Sequence, residues 1–150
     1  MSTIRALVRD NAIEELNSQA PTGIPECGKR RYIPGENTVE PRLAAFFGEE
    51  DTSRPQGSGG AIVNRELILA IQCIIVCERP DEADDIMEPL LEHVVAVMGD
   101  TNLGGFATDV AELSTLWASA QIPAGRFVLV ALTRWKIRFS TKRADLTSRS

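Results

Sequence analysis

One run, Ile62–Cys77, constrains the fold more than any other part of the chain. From Leu67 onward, apolar residues fill the odd and the even positions alike, and Gln72 is the only polar residue among them. Successive side chains of a strand point to opposite faces, so the run predicts a strand that is covered on both faces. The cover is expected from the rest of the fold or from a partner chain.

Amphipathic segments on either side of this strand predict two helices. The first is expected to be capped by Ser2 or Thr3 and to run to about Asn17, and the second begins at Pro80. Pro89 lies inside the second helix and predicts a kink there or a split into two short helices. The apolar stripe of the second helix consists of Ala83, Ile86, Met87, Leu90, Leu91, Val94, Val97 and Met98.

One short apolar run and two longer segments predict three further strands. They cover Leu43–Phe47, Val110–Ser119 and Arg126–Thr141. The sequence therefore predicts an α+β fold, with a mainly antiparallel four-stranded sheet of two hairpins and two helices packed on one face, in the order α-ββ-α-ββ.

The chain length and composition fit one domain that can bury a core. The 150 residues are 43% hydrophobic, and residues 1–141 are expected to form the domain. Residues 20–41 and 48–60 are predicted long loops, and residues 142–150 are a predicted flexible tail. The net charge of −5 argues against a dedicated nucleic-acid binder. No apolar run approaches the roughly 20 residues that a membrane-spanning helix needs.

The glycine pair after the second helix predicts a sharp turn. Leu103, Gly104 and Gly105 are expected to turn the backbone through positive φ and to lead it into the second hairpin. A phosphate-binding loop is the alternative, but the further glycine of such loops is missing. The segment also follows a helix and precedes a strand, which reverses the order that presents helix N–H groups to phosphate. A structural turn is therefore favoured.

The reactive side chains form no recognisable catalytic, cofactor-binding or metal-binding pattern. The three cysteines, Cys27, Cys73 and Cys77, are expected to be buried and inert, and the single histidine, His93, is expected to be structural. The acidic residues of 81–88 lack the spacing of a calcium loop and indicate a solvated helix face. No enzyme activity and no cofactor are predicted.

Two basic clusters are the remaining candidates for contacts. They are Lys29-Arg30-Arg31 and the alternating set Arg134, Lys136 and Arg138. These side chains could be solvated, pair with acidic loops of the same chain, or meet an acidic patch on a neighbouring subunit. Contact with the DNA backbone is a further alternative, which the negative net charge disfavours.

The order of these elements and motifs resembles the tail terminator proteins of long-tailed bacteriophages, also called minor tail or tail completion proteins. The resemblance covers most of the chain. It rests on the N-terminal helix and on four motifs: Pro41-Arg42-Leu43, Arg65-Glu66-Leu67-Ile68-Leu69, Asp100-Thr101-Asn102-Leu103-Gly104-Gly105 and Trp135-Lys136-Ile137-Arg138-Phe139-Ser140-Thr141.

The resemblance implies a structural virion protein that forms a hexameric ring on the head-proximal end of the tail tube. Such a ring ends tube polymerisation and offers a surface for head joining, without a cofactor. Its expected partners are further copies of itself, the tail tube protein and the head–tail connector or neck protein. Genomic DNA would pass through the lumen without sequence-specific binding, and no membrane is involved. Assembly would take place in the host cytoplasm.

Two sets of residues are candidates for these contacts. Subunit or tube contacts are predicted for Arg65, Ile68, Gln72, Arg134, Lys136 and Arg138. A docking loop that orders on contact is predicted to contain Glu49, Glu50, Asp51 and Arg54. Two other functions stay open: another head–tail connector or neck protein, and a small cytosolic enzyme or ligand-binding α+β domain.

Overall fold

The fold joins two helices to one sheet. The computed structural model describes residues 4–33, 39–47, 62–101, 103–105, 107, 109–122 and 125–142. A short 3-10 turn, Pro80–Glu82, leads directly into the second helix. The elements in chain order are α1 (Ile4–Ser18), β1 (Cys27–Gly28), β2 (Arg42–Phe47), β3 (Ile62–Cys77), α2 (Ala83–Met98), β4 (Asp109–Ile122) and β5 (Arg126–Lys142).

The predicted α+β class is confirmed, but the sheet has five strands rather than four. Its strand order is β1-β2-β3-β5-β4, and the three pairs from β2 to β4 are antiparallel. The additional strand, β1, runs parallel to β2 with Cys27 opposite Leu43, so the sheet is mixed. The prediction missed β1 because two residues in a segment rich in proline and glycine show no alternation.

Helix α2 is one continuous helix, so the predicted alternative of two short helices is wrong. Pro89 lies inside it and is exposed. Met87 and Leu90 on either side of the proline are buried. Their shared burial keeps both halves of the helix on one apolar stripe, although the proline removes one backbone donor.

The main core lies between the helices and one face of the sheet, which we call the helix side. Alternate residues of β3 and β5, among them Ile71 and Trp135, point to this side. The largest buried side chains of this core are Leu16, Leu43, Leu69, Ile71, Ile75, Met87, Met98, Leu103, Trp135, Ile137 and Phe139. Both helices thus cover the centre of the sheet.

The other face of the sheet, the far side, is partly covered by the chain itself. Tyr32 and Val39 are buried against Ile74, Val128 and Val130 in a second, smaller cluster. The backbone N–H of Tyr32 donates a hydrogen bond of 2.6 Å to Oε1 of Gln72. At this end of β3, the second face of the strand is therefore covered by the chain itself, which is one of the two predicted sources of cover.

The turn after α2 has the predicted positive φ angles. They are 53° at Leu103, 73° at Gly104 and 89° at Gly105. The N–H of Leu103 donates to Oγ1 of Thr101 at 2.9 Å, and the Thr101 hydroxyl donates to the carboxylate of Glu15 on α1. The turn is thus tied to α1 and delivers β4 to the edge of the sheet.

Candidate assembly surfaces

Strand β4 forms a long edge of the sheet. It pairs with β5 along its length, with a register shift between Glu112 and Ser114, and it is the last strand in the sheet order. Within the part of the chain that the structure describes, no strand lies on its outer side. An edge of this kind presents a row of backbone N–H and C=O groups that another chain can use.

Large apolar side chains of β4 are exposed. The exposed fractions are 42% for Leu113, 52% for Leu116 and 53% for Trp117. Leu116 lies opposite Leu132 on the far side of the sheet, whereas Trp117 lies opposite Ala131 on the helix side. The edge strand therefore presents apolar surface on both faces, which is typical of a contact surface rather than of a solvated strand.

At the opposite edge of the sheet, a side chain caps the short strand β1. The amide of Asn17, at the end of α1, donates from Nδ2 to the carbonyl oxygen of Cys27 at 3.0 Å and accepts from the Cys27 N–H at 2.7 Å. It thereby takes the backbone positions that an adjoining strand would use. This edge is thus shielded at Cys27, whereas among the described residues β4 is open along its length.

A basic strip lies on the far side of β5, and it consists of Arg134, Lys136 and Arg138. In register, these residues lie opposite Ala70, Ile68 and Glu66 of β3. Lys136 Nζ is 3.8 Å from Oε1 of Glu66, and Arg138 Nε is 3.2 Å from Oε2. One carboxylate thus contacts two of the three cations of the strip.

An acidic surface lies on the outer side of α2. Four exposed carboxylates belong to it, and the helix contains no lysine or arginine. Between Glu88 and Glu92 the surface has a shallow depression lined by Leu91, Val95 and Ala96. We call this surface the acidic helix face; its carboxylates are Asp84, Asp85, Glu88 and Glu92.

The structure brings four of the six predicted contact residues together. Ile68 and the basic strip lie side by side on the far side of the sheet. Gln72 is buried beneath Tyr32, and Arg65 occupies the register position opposite Phe139. The predicted docking loop, with Glu49, Glu50, Asp51 and Arg54, lies outside the described residues.

The exposed apolar surface of β4 is not among the predicted contact residues, and the acidic residues of α2 are predicted only to form a solvated helix face. The available signal was the pair Leu116 and Trp117, two large apolar residues at adjacent positions. Adjacent apolar residues in a strand point to opposite faces. Their neighbours on the strand are small or polar, which already distinguishes this strand from β3.

The histidine and the three cysteines are buried. His93 is buried, and its Nε2 lies 2.8 Å from the carbonyl oxygen of Leu16, which links α2 to the end of α1. All three cysteines are buried. Among the described residues, no group of His, Cys, Asp and Glu could hold a metal ion, and none of their helices is long and apolar enough to cross a membrane.

Burial makes two of the thiols unreactive. It raises the pKa of Cys27 to about 12 and that of Cys73 to about 12. The thiolate is the reactive form, so we expect Ellman's reagent at pH 8 to leave both unlabelled in the folded protein and to label them in denaturant. Rapid labelling of either cysteine without denaturant would contradict the burial.

The comparisons with known proteins found similar chains among solved structures. No protein-family model matches the sequence, and no curated protein matches it. The chain is similar to a chain in a solved structure described as the virion of native gene transfer agent (GTA) particle, at 9% identity and a TM-score of 0.42. The match covers 91% of this chain and 95% of that chain.

Proposed function

We propose that the chain is a structural virion protein of the tail terminator type. It assembles into a ring of six copies on the head-proximal end of a phage tail tube. The ring ends tube polymerisation and provides the surface for head joining. Its action is geometric and involves no covalent chemistry. The order of motifs in the sequence, from the N-terminal helix to the closing strand, supports this proposal.

The observation that carries the proposal is the open edge strand β4. Proteins that stay monomeric generally shield such edges with charges, prolines or other elements. Here Asn17 shields Cys27 at the other edge, while β4 carries exposed Leu116 and Trp117. Subunit contacts in a ring would bury this surface.

Ring closure explains how such a protein can stop growth. In a heterologous contact, one surface of each copy meets a different surface of the next copy, and a suitable rotation closes the ring. One face of the ring then matches the last ring of the tube, and the other face does not continue the tube. The loop with Glu49, Glu50, Asp51 and Arg54 is our candidate for contact with the tube.

Mass photometry with negative-stain imaging tests the function. We expect a species of about six times the 16.4 kDa of one chain, seen as a ring, either in solution or on one end of tubes formed by the tail tube protein of the same phage. Tubes grown in its presence should be shorter and capped. A monomer that persists when tubes are present would contradict the proposal.

The edge strand can be tested by substitution. We expect the double variant Leu116→Lys, Trp117→Lys to lose the ring, because lysines on both faces of β4 oppose burial of this edge. Far-UV circular dichroism should stay unchanged, since both side chains are more than half exposed. The control is Ile33→Lys, at a residue 57% exposed in the segment next to Tyr32. Equal ring yields for both variants would argue against β4 as a contact.

A further inference from the structure

The molecule carries two surfaces of opposite charge on opposite sides of its sheet. The acidic helix face lies on the outer side of α2, which packs on the helix side. The basic strip lies on the far side, next to exposed Leu116 and half-buried Ile68. The acidic helix face carries four carboxylates, and the strip carries three cations beside Glu66. Each surface adjoins an apolar area.

We propose that the acidic helix face of one copy docks on the basic strip of the next copy. This inference rests on the proposed ring and names the surfaces that form its subunit contact. The apolar depression of α2, lined by Leu91, Val95 and Ala96, receives the apolar side chains beside the strip. Glu88 and Glu92 meet Arg134 and Lys136.

The spacing of the charges favours this pairing. Glu88 and Glu92 lie about one turn apart on α2, which separates them by roughly 6 Å along the helix axis. Arg134 and Lys136 lie two residues apart on one face of β5, which separates them by roughly 6.7 Å. Both carboxylates can therefore meet both cations at the same time.

The charge distribution selects a second copy in a head-to-tail arrangement. A two-fold symmetric contact could pair the acidic helix face with the basic strip only if both surfaces belonged to one patch. Because they lie on opposite sides of the sheet, such a contact would place α2 against α2 or strip against strip, so that charges of one sign face each other. Since the two surfaces lie on opposite sides of the sheet, a contact between them leaves one free surface on each copy. Such contacts repeat until a ring closes.

DNA is the less suitable occupant of the strip. Glu66 lies within the strip and contacts two of its cations, and Asp109 lies opposite Arg138 on β4. These carboxylates oppose a phosphate backbone, whereas they can be tolerated beside a protein surface that brings apolar contacts.

Charge reversal on one surface at a time tests the proposed contact. The helix variant is Glu88→Lys, Glu92→Lys, and the strip variant is Arg134→Glu, Lys136→Glu. For each variant alone we expect the apparent dissociation constant of the ring to rise about 100-fold or more, because like charges then face each other. Mass photometry over a dilution series measures this change.

Recombining the two variants gives the decisive result. In an equimolar mixture, the basic helix of one variant faces the acidic strip of the other, and the original pair of charges meets at the next contact. We therefore expect the mixture to form rings that neither variant forms alone. A single chain with all four substitutions should also form rings.

The controls separate this inference from the proposed function. Glu14→Lys, Glu26→Lys changes the net charge equally at exposed positions outside α2 and should keep the ring. Arg134→Gln, Lys136→Gln removes the same cations without repulsion from Glu66 and should also weaken the ring. It replaces the strip variant in the test if that variant is poorly folded. Rings that persist in both charge-reversal variants would overturn the inference but would still agree with the proposed ring. Duplex DNA binding that the strip variant loses while its rings persist would also overturn it.

Discussion

Replacing Trp135 with alanine is expected to lower the free energy of unfolding by about 4 kcal/mol, because it opens a large cavity in the helix-side core. The side chain is 2% exposed and is among the largest that the core contains. Its Nε1–H donates to Oγ1 of Thr133 at 2.9 Å, and the Thr133 hydroxyl donates to the carbonyl oxygen of Ile71 at 3.1 Å. The substitution therefore also removes a buried hydrogen bond.

The second tryptophan provides a matched control for this measurement. Trp117 lies on the same side of the sheet but is 53% exposed, so its replacement by alanine should change the stability of the monomer by less than about 1 kcal/mol. Urea unfolding, followed by far-UV circular dichroism at concentrations where the chain is monomeric, compares the two variants. Equal losses for Trp117→Ala and Trp135→Ala would contradict the position of the core.

The regular elements could be predicted because their patterns are long. Strand β3 has the predicted bounds, Ile62–Cys77, since an apolar run on both faces has few alternatives. The basic strip was also visible in the alternation of β5. Strand β1 was not, because it depends on pairing with β2 and on the side chain of Asn17 rather than on any pattern of its own.

The exposed surfaces could not be predicted because the order of the strands in the sheet is not visible in the sequence. Alternation shows which residues share a face, but it does not show which strand lies at the edge of the sheet. Leu116 and Trp117 are exposed because β4 is the last strand of the sheet and, among the described residues, has β5 as its one neighbour. Likewise, the segment that carries Tyr32 has no periodicity, so its cover over Ile74 could not be predicted.

The fold fixes the position of the acidic helix face relative to the basic strip. The turn at Leu103 ties the start of the second hairpin to α1, while His93 ties α2 to the end of α1. The helix that carries the acidic surface and the strands that carry the basic strip are thus held to one common element. In a ring, a constant angle between successive copies requires such rigidity, because a variable angle would not close reliably.

The turn itself carries the second large prediction. We expect Gly104→Ala to lower the free energy of unfolding by about 3 kcal/mol, from backbone strain and a steric clash together. The φ angle of 73° is unfavourable for alanine, and the added Cβ would lie 2.5 Å from Oδ1 of Asn11. Asn11 cannot move away freely, because its Nδ2 donates to the carbonyl oxygen of Leu7 at 2.8 Å.

Two controls divide this effect into its parts. Gly125 has the same φ of 73° with nothing within 4 Å of an added Cβ, so Gly125→Ala should show the backbone strain alone, about 1 kcal/mol. In an Asn11→Ala background, Gly104→Ala should fall to a similar value, since the clash is removed. Urea unfolding of the four variants measures the difference. Equal losses of stability for Gly104→Ala and Gly125→Ala would contradict the close contact between Asn11 of α1 and the turn. The position of β4 would then depend on other contacts.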